Sequence, residues 1–134
     1  MRLKWVRRAL ADAEQLLGTS GPASAIDRMH SALHGYLKTV CREQGIELPT
    51  DATLTLAYKT LRRQHPGLRS FGDHEYEAGR ILSSFAFTLD ALNTLRNHAS
   101  VAHPNERLIG VAEGMLPINA VRTIFHYLNQ KIAP

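Results

Sequence analysis

The chain has 134 residues, of which 44% are hydrophobic and 21% are charged, and its formal net charge is +4. This size and composition indicate one soluble globular domain spanning residues 1–134, and they exclude a disordered chain, a disulfide-rich mini-protein and a protein with a membrane-spanning helix. The single cysteine, Cys41, cannot form an internal disulfide, so a cytoplasmic protein with a buried, inert thiol is expected. The mild positive excess is compatible with a polyanionic partner.

Apolar residues at spacings of three and four predict the first two helices. Gly18 provides a stop for the first helix, and Gly45 ends the second. Between them, Ser20 or Gly21 offers a cap, with Pro22 in the first turn of the second helix. The two predicted apolar stripes are Leu3, Val6, Leu10, Ala13 and Leu17, and then Ile26, Met29, Leu33, Leu37, Val40 and Cys41.

Three further helices follow along the chain. The turn Pro49-Thr50-Asp51 offers a cap to the third helix, which stops at His65-Pro66-Gly67 before a loop that runs to Asp73. The fourth helix begins near Glu75. We expect a short extra turn over residues 111–115 and a last helix that starts at Pro117. The predicted apolar stripes are Leu54, Ala57, Tyr58 and Leu61; Ile81, Leu82, Phe85, Leu89, Leu92 and Leu95; and Ile118, Val121, Ile124, Phe125 and Leu128.

No segment shows the alternation of a strand, so the predicted fold is all-α, a bundle of four to five helices. The second and fourth helices are the longest, which favours a long antiparallel pair braced by shorter helices. Trp5, on the first helix, is expected to pack in the core. Two basic clusters are each interpreted as solvated helix faces, namely Arg2, Lys4, Arg7 and Arg8, and Lys59, Arg62, Arg63 and Arg69.

The segment Arg96-Asn97-His98-Ala99-Ser100-Val101-Ala102-His103 contains the residues best suited to chemistry. In an unbroken helix Arg96 and His103 lie nearly two turns apart on one face, about 10 Å along the axis, together with Asn93 and Ser100. Pro104 disfavours helical geometry at His103, which places the imidazole at or just beyond the helix end.

A guanidinium, an amide and an imidazole in this arrangement suit a phosphodiester. The guanidinium of Arg96 can bind phosphate bidentately, and the imidazole of His103 can exchange a proton near neutral pH. If the RNA 2′-hydroxyl is the nucleophile, no metal is needed and the product is a 2′,3′-cyclic phosphate. The alternative from spacing alone is structural, because Arg and His near a helix C-terminus also stabilise the helix dipole.

Two other groups of polar residues lie on the second helix and around the start of the fourth. Asp27, His30 and His34 are spaced three and four apart and could be drawn as metal ligands, but the set resembles no complete zinc or di-iron signature, so no metal site is predicted. His30 and His34 are expected to flank the apolar stripe and face the fourth helix instead. Three acidic residues, Asp73, Glu75 and Glu77, could be drawn as paired catalytic carboxylates. They lie before and in the first turn of the fourth helix, so the helix dipole explains them better.

The chain resembles the HEPN superfamily (higher eukaryotes and prokaryotes nucleotide-binding), and within it the C-terminal domain of abortive-infection proteins in bacterial anti-phage defence. The resemblance is carried by Ala25-Ile26-Asp27-Arg28-Met29-His30-Ser31-Ala32-Leu33-His34-Gly35 and by Leu95-Arg96-Asn97-His98-Ala99-Ser100-Val101-Ala102-His103. Trp5 on the first helix and the order of the later helices extend it over most of the chain.

The resemblance implies a homodimer in which two Arg…His motifs face each other across one cleft, and a metal-independent endoribonuclease without a cofactor. Arg96 would contact the scissile phosphate, His103 would transfer protons, and Asn97 would orient one of them. Four further residues are candidates for binding RNA, namely Asn93, His98, Ser100 and His34.

The implied partners are RNA and an antitoxin or a fused sensor domain, with no membrane. His103-Pro104 stands where many members have His-Gly, and Asn105 stands where a toxin subgroup has tyrosine. The alternatives are a non-catalytic module that dimerises or binds RNA, and a helical interaction domain.

Overall fold

The computed structural model describes residues 2–19, 21–100 and 111–132. Within these ranges the chain forms five α-helices and two 3₁₀ turns and no strand, which confirms the predicted all-α bundle. The helices are α1 (Arg2–Thr19), α2 (Pro22–Glu43), α3 (Leu54–Gln64), α4 (Glu75–Ser100) and α5 (Val111–Ile132). The 3₁₀ turns, Pro66–Leu68 and Gly72–His74, connect α3 to α4.

Helix α2 lies at the centre of the bundle and packs against all four other α-helices. It runs antiparallel to α4, as predicted from their lengths, because its first turns meet the last turns of α4. The prediction that the second and fourth helices are the longest is right for α4, with 26 residues, whereas α5 has 22 residues, as many as α2. Tyr36 of α2 and Phe125 of α5 meet edge to face with ring centroids 5.0 Å apart, which joins these two helices in the core.

The core contains nearly all of the predicted apolar stripes. Every named stripe residue of α2, α3 and α5 is buried, and so are those of α1 from Val6 onward. Cys41 is buried as predicted, and burial raises the pKa of its thiol, which keeps the thiol in the unreactive protonated form.

Two apolar residues are more exposed than predicted. Ile81 of α4 is 58% exposed, while its neighbours Leu82 and Ser83 contact the short helix α3. Trp5 is 46% exposed and lies over the surface of α2 at Gly35, where an added Cβ would come within 2.6 Å of the indole ring. The prediction that Trp5 packs in the core was therefore wrong, and the missing side chain of Gly35 accommodates the ring.

Two helix starts also differ from the sequence prediction. Helix α5 begins at Val111, so Pro117 lies inside the helix instead of in its first turn. Pro117 has no N–H for the hydrogen bond to the carbonyl four residues earlier, and its ring crowds that carbonyl. The buried Gly114 nevertheless packs this first segment of α5 against Leu17 of α1. Helix α3 is capped by Thr53, whose hydroxyl accepts from the Leu56 N–H at 3.1 Å, and not by the preceding turn.

None of the described helices combines the length and the apolar character that crossing a bilayer requires.

Candidate functional site

Two pairs of polar residues face each other where α2 begins and α4 ends. Asp27 Oδ1 is 3.2 Å from the Nε of Arg96, and His30 Nε2 is 3.2 Å from Asn93 Oδ1. On α2, His30 follows Asp27 by three positions, and on α4, Arg96 follows Asn93 by three. The antiparallel packing of the two helices therefore brings both pairs together on adjacent turns. The structure thus joins Arg96 and Asn93, two of the predicted site residues, to two residues of α2.

The guanidinium of Arg96 lies at the surface. The side chain of Arg96 is 38% exposed and that of Asp27 is 59% exposed, so water reaches their ion pair. An exposed pair of this kind is worth about 0.2–1 kcal/mol. A phosphate in the same place can accept two parallel hydrogen bonds from the planar guanidinium. An incoming phosphate can therefore displace the carboxylate.

His30 lies beneath this ion pair and is almost completely buried. Burial and the nearby positive charge of Arg96 lower the pKa of His30, so its imidazole is neutral near pH 7. With Nδ1 buried and making no hydrogen bond to the described protein atoms, the Asn93 contact is the one that fixes the ring. Neutral His30 thus adds no charge beside Arg96 and holds the amide of Asn93 in place.

His34 lies one turn further along α2, and its ring meets that of His30 edge to face with centroids 5.7 Å apart. Its Nε2 is 2.9 Å from the backbone oxygen of Ala52, in the segment before α3. An imidazole N–H must donate to this carbonyl, which sets the ring orientation. Burial and the charge of Lys38 lower the pKa of His34. The Nε2 side of His34 thus contacts the segment before α3, while the charge of Arg96 also contributes to lowering its pKa.

The prediction that His30 and His34 both face α4 holds for His30 only. His30 contacts Asn93 of α4, whereas His34 contacts the backbone before α3. Among the described residues, no group of three or more His, Cys, Asp or Glu is arranged to hold a metal ion. Asp27, the third residue of the metal alternative, contacts Arg96 instead.

The remaining predicted site residues follow Arg96 along the chain. Asn97 is exposed in the last turn of α4, and the helix continues through His98 and Ser100. The side chains of His98 and Ser100 lie outside the described residues, and so does the whole of His103. The predicted juxtaposition of Arg96 with His103 therefore stays a prediction.

Asp27 was missed as a partner of Arg96. Sequence reasoning considered it only as a metal ligand. The signal that identifies it is the matched spacing of three between Asp27 and His30 and between Asn93 and Arg96, on two helices already expected to pack antiparallel.

The comparisons agree with this architecture. The family model Abi_C, described as a HEPN-like domain, matches residues 4–132, which is nearly the whole chain. No curated protein and no solved structure matches the chain. The match covers α2 to α5, all of α1 but its first two residues, and the segment from Arg96 to His103. The chain therefore belongs to the Abi_C family of HEPN-like domains.

Proposed function

We propose that this domain is a metal-independent endoribonuclease that acts in anti-phage defence or as a toxin. The observation that carries the proposal is the position of Arg96, a half-exposed guanidinium at the end of α4 that contacts the exposed carboxylate of Asp27 on α2. A permanent cation placed in this way can bind a phosphodiester and stabilise the charge that develops on its oxygens.

The proposed reaction uses the substrate's own 2′-hydroxyl as the nucleophile. The 2′-oxygen attacks the adjacent phosphorus, the bond to the 5′-oxygen breaks, and the products are a 2′,3′-cyclic phosphate and a free 5′-hydroxyl. One proton leaves the 2′-hydroxyl and one is added to the departing 5′-oxygen. We assign this proton transfer to His103, following the family resemblance, because imidazole exchanges protons near neutral pH.

The charges of the residues around Arg96 support its assignment to phosphate binding. His30 is neutral, so the cluster between α2 and α4 keeps Arg96 as its positive group and Asp27 as its negative one. A phosphodiester is an anion like the carboxylate of Asp27 and can take its place against the guanidinium. Asn93 and the exposed Asn97 supply amide groups within one turn of Arg96, and these can donate to phosphate or ribose oxygens.

We further propose that the domain works as a cytoplasmic homodimer whose two copies of the Arg96 segment form one cleft. This part rests on the family membership. An exposed site on a single helix end offers little enclosure for a substrate, and a second copy facing it would exclude water and strengthen the contacts to phosphate.

The test compares cleavage of total RNA by the wild type and by the variants Arg96→Ala and His103→Ala. Arg122→Ala is the matched control, because Arg122 also forms a half-exposed ion pair between helices, with Glu14 of α1. We expect the control to cleave like the wild type and both site variants to lose at least a hundredfold in rate, the usual scale for removing a transition-state donor or a general acid or base.

Circular dichroism establishes that all four proteins fold. Equal cleavage by the wild type and Arg96→Ala would refute the site assignment. RNA binding without cleavage by any of the proteins would instead indicate a non-catalytic RNA-binding module.

A further inference from the structure

A surface of basic and aromatic side chains lies on α3 and on the first half of α4, away from Arg96. Two aromatic rings are strongly exposed there: Tyr76 at 73% and Phe87 at 77%. Together with Arg80 and Ser83 they are spaced four, three and four apart, so they share one face of α4. Large exposed aromatic side chains on one helix face indicate a binding surface more often than a solvated one.

Arginine side chains lie between and beside these rings. The guanidinium carbon of Arg80 is 5.8 Å from the centroid of the Tyr76 ring, a cation–π contact that holds the ring while leaving it exposed. Arg62 of α3 crosses to α4, where it donates to Ser83 Oγ at 3.1 Å and to the Gly79 carbonyl at 3.2 Å. Arg62, Tyr76, Arg80, Ser83 and Phe87 line one open groove of about 500 Å³.

A second groove, lined mainly by basic residues, lies at the end of α3. This second groove is also lined by Arg62 and adds Lys59, Arg63 and Arg69 beside the half-buried ring of Phe71. Across the two grooves the lining residues with a charge are five cations and one carboxylate, that of Glu75. The basic cluster seen in the sequence is therefore part of a surface that also presents aromatic rings.

We propose that this surface, formed by Lys59, Arg62, Arg63, Arg69, Tyr76, Arg80 and Phe87, binds single-stranded RNA. Exposed aromatic rings stack on unpaired bases whatever their sequence, and a basic groove follows the phosphates. Tyr76 and Phe87 are eleven positions apart, which is about 16 Å along the helix. That is the length of about five phosphates in a stacked strand. The choice of RNA over DNA rests on the proposed ribonuclease function.

Charge favours a nucleic acid over a second copy of this chain. Two copies meeting through this surface would bring two sets of five cations together, with only Glu75 from each copy within the grooves to offset them. A polyanion neutralises the same cations and releases its own counterions.

The surface can be altered without changing the site around Arg96. Arg80 and Arg96 are sixteen positions apart, which is about 24 Å along α4 and nearly half a turn around it. The surface would therefore hold RNA at a distance from the scissile bond, which predicts a change in binding and in KM with little change in kcat.

The test measures binding of a fluorescent oligodeoxyuridylate and its RNA counterpart, each of about 12 nucleotides, by anisotropy at several salt concentrations. The deoxy strand lacks the 2′-hydroxyl and so cannot be cleaved by the proposed reaction, and binding of the RNA strand is measured with all variants carrying Arg96→Ala, which prevents its cleavage. The variants are Tyr76→Ala, Phe87→Ala and Arg80→Ala. The matched controls are Leu116→Ala, which removes an exposed apolar side chain from α5, and Arg8→Ala, which removes an exposed cation from α1.

We expect each aromatic variant to weaken binding of both strands about tenfold, as the loss of one stacked base does. Arg80→Ala should also reduce the dependence of log K on log salt by about 0.7, the value for one phosphate contact on a single strand. The two controls should bind like the wild type.

The proposal is overturned if Tyr76→Ala and Phe87→Ala bind as tightly as the controls. It is also overturned if the wild type binds neither strand, or if the aromatic variants change only the oligomeric state in sedimentation. The two proposals fail separately. Binding that depends on Tyr76 and Phe87, without any cleavage, refutes the ribonuclease. Cleavage that depends on Arg96, with unchanged binding in the aromatic variants, refutes the RNA-binding surface.

Discussion

Asp27 competes with RNA for Arg96 in the function proposed here. The carboxylate contacts the guanidinium at 3.2 Å, and both groups are open to water, so their attraction is small and reversible. A substrate phosphate must take the place of this carboxylate before the guanidinium can contact it in full. Asp27 thus holds Arg96 near the position in which it binds phosphate and also weakens substrate binding.

The first prediction concerns this competition. Asp27→Asn removes the negative charge and keeps a side chain of the same shape, so we expect KM for RNA to fall about two- to fivefold, the equivalent of one exposed ion pair. Asp12→Asn is the control, since Asp12 forms a similar exposed pair with Arg28, 3.4 Å apart, between α1 and α2. Steady-state cleavage kinetics measure both. An unchanged KM in Asp27→Asn would show that Asp27 does not compete with substrate.

The second prediction concerns the buried histidines. Burial lowers the pKa of His30, His34 and His65 in the folded protein, whereas the unfolded chain keeps the ordinary value near 6.5. The unfolded state therefore binds more protons below pH 6.5. The free energy of unfolding should fall as the pH is lowered from about 6.5 towards the folded-state pKa values, and these histidines should contribute no pH dependence above that range.

Urea unfolding at a series of pH values measures this slope. His30→Gln, which keeps a polar group near the position of Nε2, should reduce the slope between pH 5 and 6.5, and His74→Asn is the surface control. The same slope in His30→Gln and the wild type would mean that His30 does not titrate differently in the two states.

The sequence predicted the type and order of the helices well because burial is periodic in most of them. The stripes of α2 and α3 are buried residue for residue, since both helices have neighbours along one whole side. The errors fall where a local signal competes with tertiary contacts. Pro117 is typical of a first turn, yet packing of Gly114 on Leu17 extends α5 by six residues towards its N-terminus.

The candidate site was predictable only in part. Arg96 and Asn93 were identified because their residue types and spacing suit phosphate binding. The pairing of Asp27 with Arg96 and of His30 with Asn93 required the register between α2 and α4, which depends on packing along both helices; the matched spacing of three is compatible with that register but does not set it. His103 lies outside the described residues, so its role stays a prediction.

The third prediction concerns the contact between the Pro66–Leu68 turn and the end of α5. A Cβ on Gly67 would lie 2.2 Å from the backbone oxygen of Lys131, so one of the two segments must move. We expect Gly67→Ala to reduce the free energy of unfolding by about 1–3 kcal/mol, the cost of overpacking a tight contact. Lys131 Nζ donates to the Ser70 carbonyl at 2.8 Å, and we expect this hydrogen bond to weaken when the turn and the end of α5 are pushed apart.

Gly18→Ala is the matched control for this variant. Gly18 lies near the end of α1 with no atom within 4 Å of an added Cβ, so alanine should stabilise the protein by about 0.5 kcal/mol through its helix propensity. Chemical denaturation measures both variants. If Gly67→Ala were as stable as the wild type, the close approach of this turn to α5 would be wrong.

In the whole molecule, α2 connects the core to the site. It packs against every other helix through its apolar residues, and near its start it presents Asp27 and His30 to the end of α4. The position of Arg96 is therefore set by the same packing that stabilises the fold. The surface around Tyr76 and Phe87 lies on the other side of α4, so the proposed catalytic and RNA-holding regions are separate parts of one helix.

The central claim is that the domain cleaves RNA with the substrate's own 2′-hydroxyl as the nucleophile. The most direct measurement is the chemistry of the 3′ ends after cleavage in EDTA, together with cleavage of the same RNA carrying one 2′-deoxy nucleotide at the scissile position. The account predicts 2′,3′-cyclic phosphate ends and no cleavage at the deoxy position, with cleavage elsewhere unchanged. Products with 3′-hydroxyl ends, or cleavage of the deoxy position at the normal rate, would contradict it.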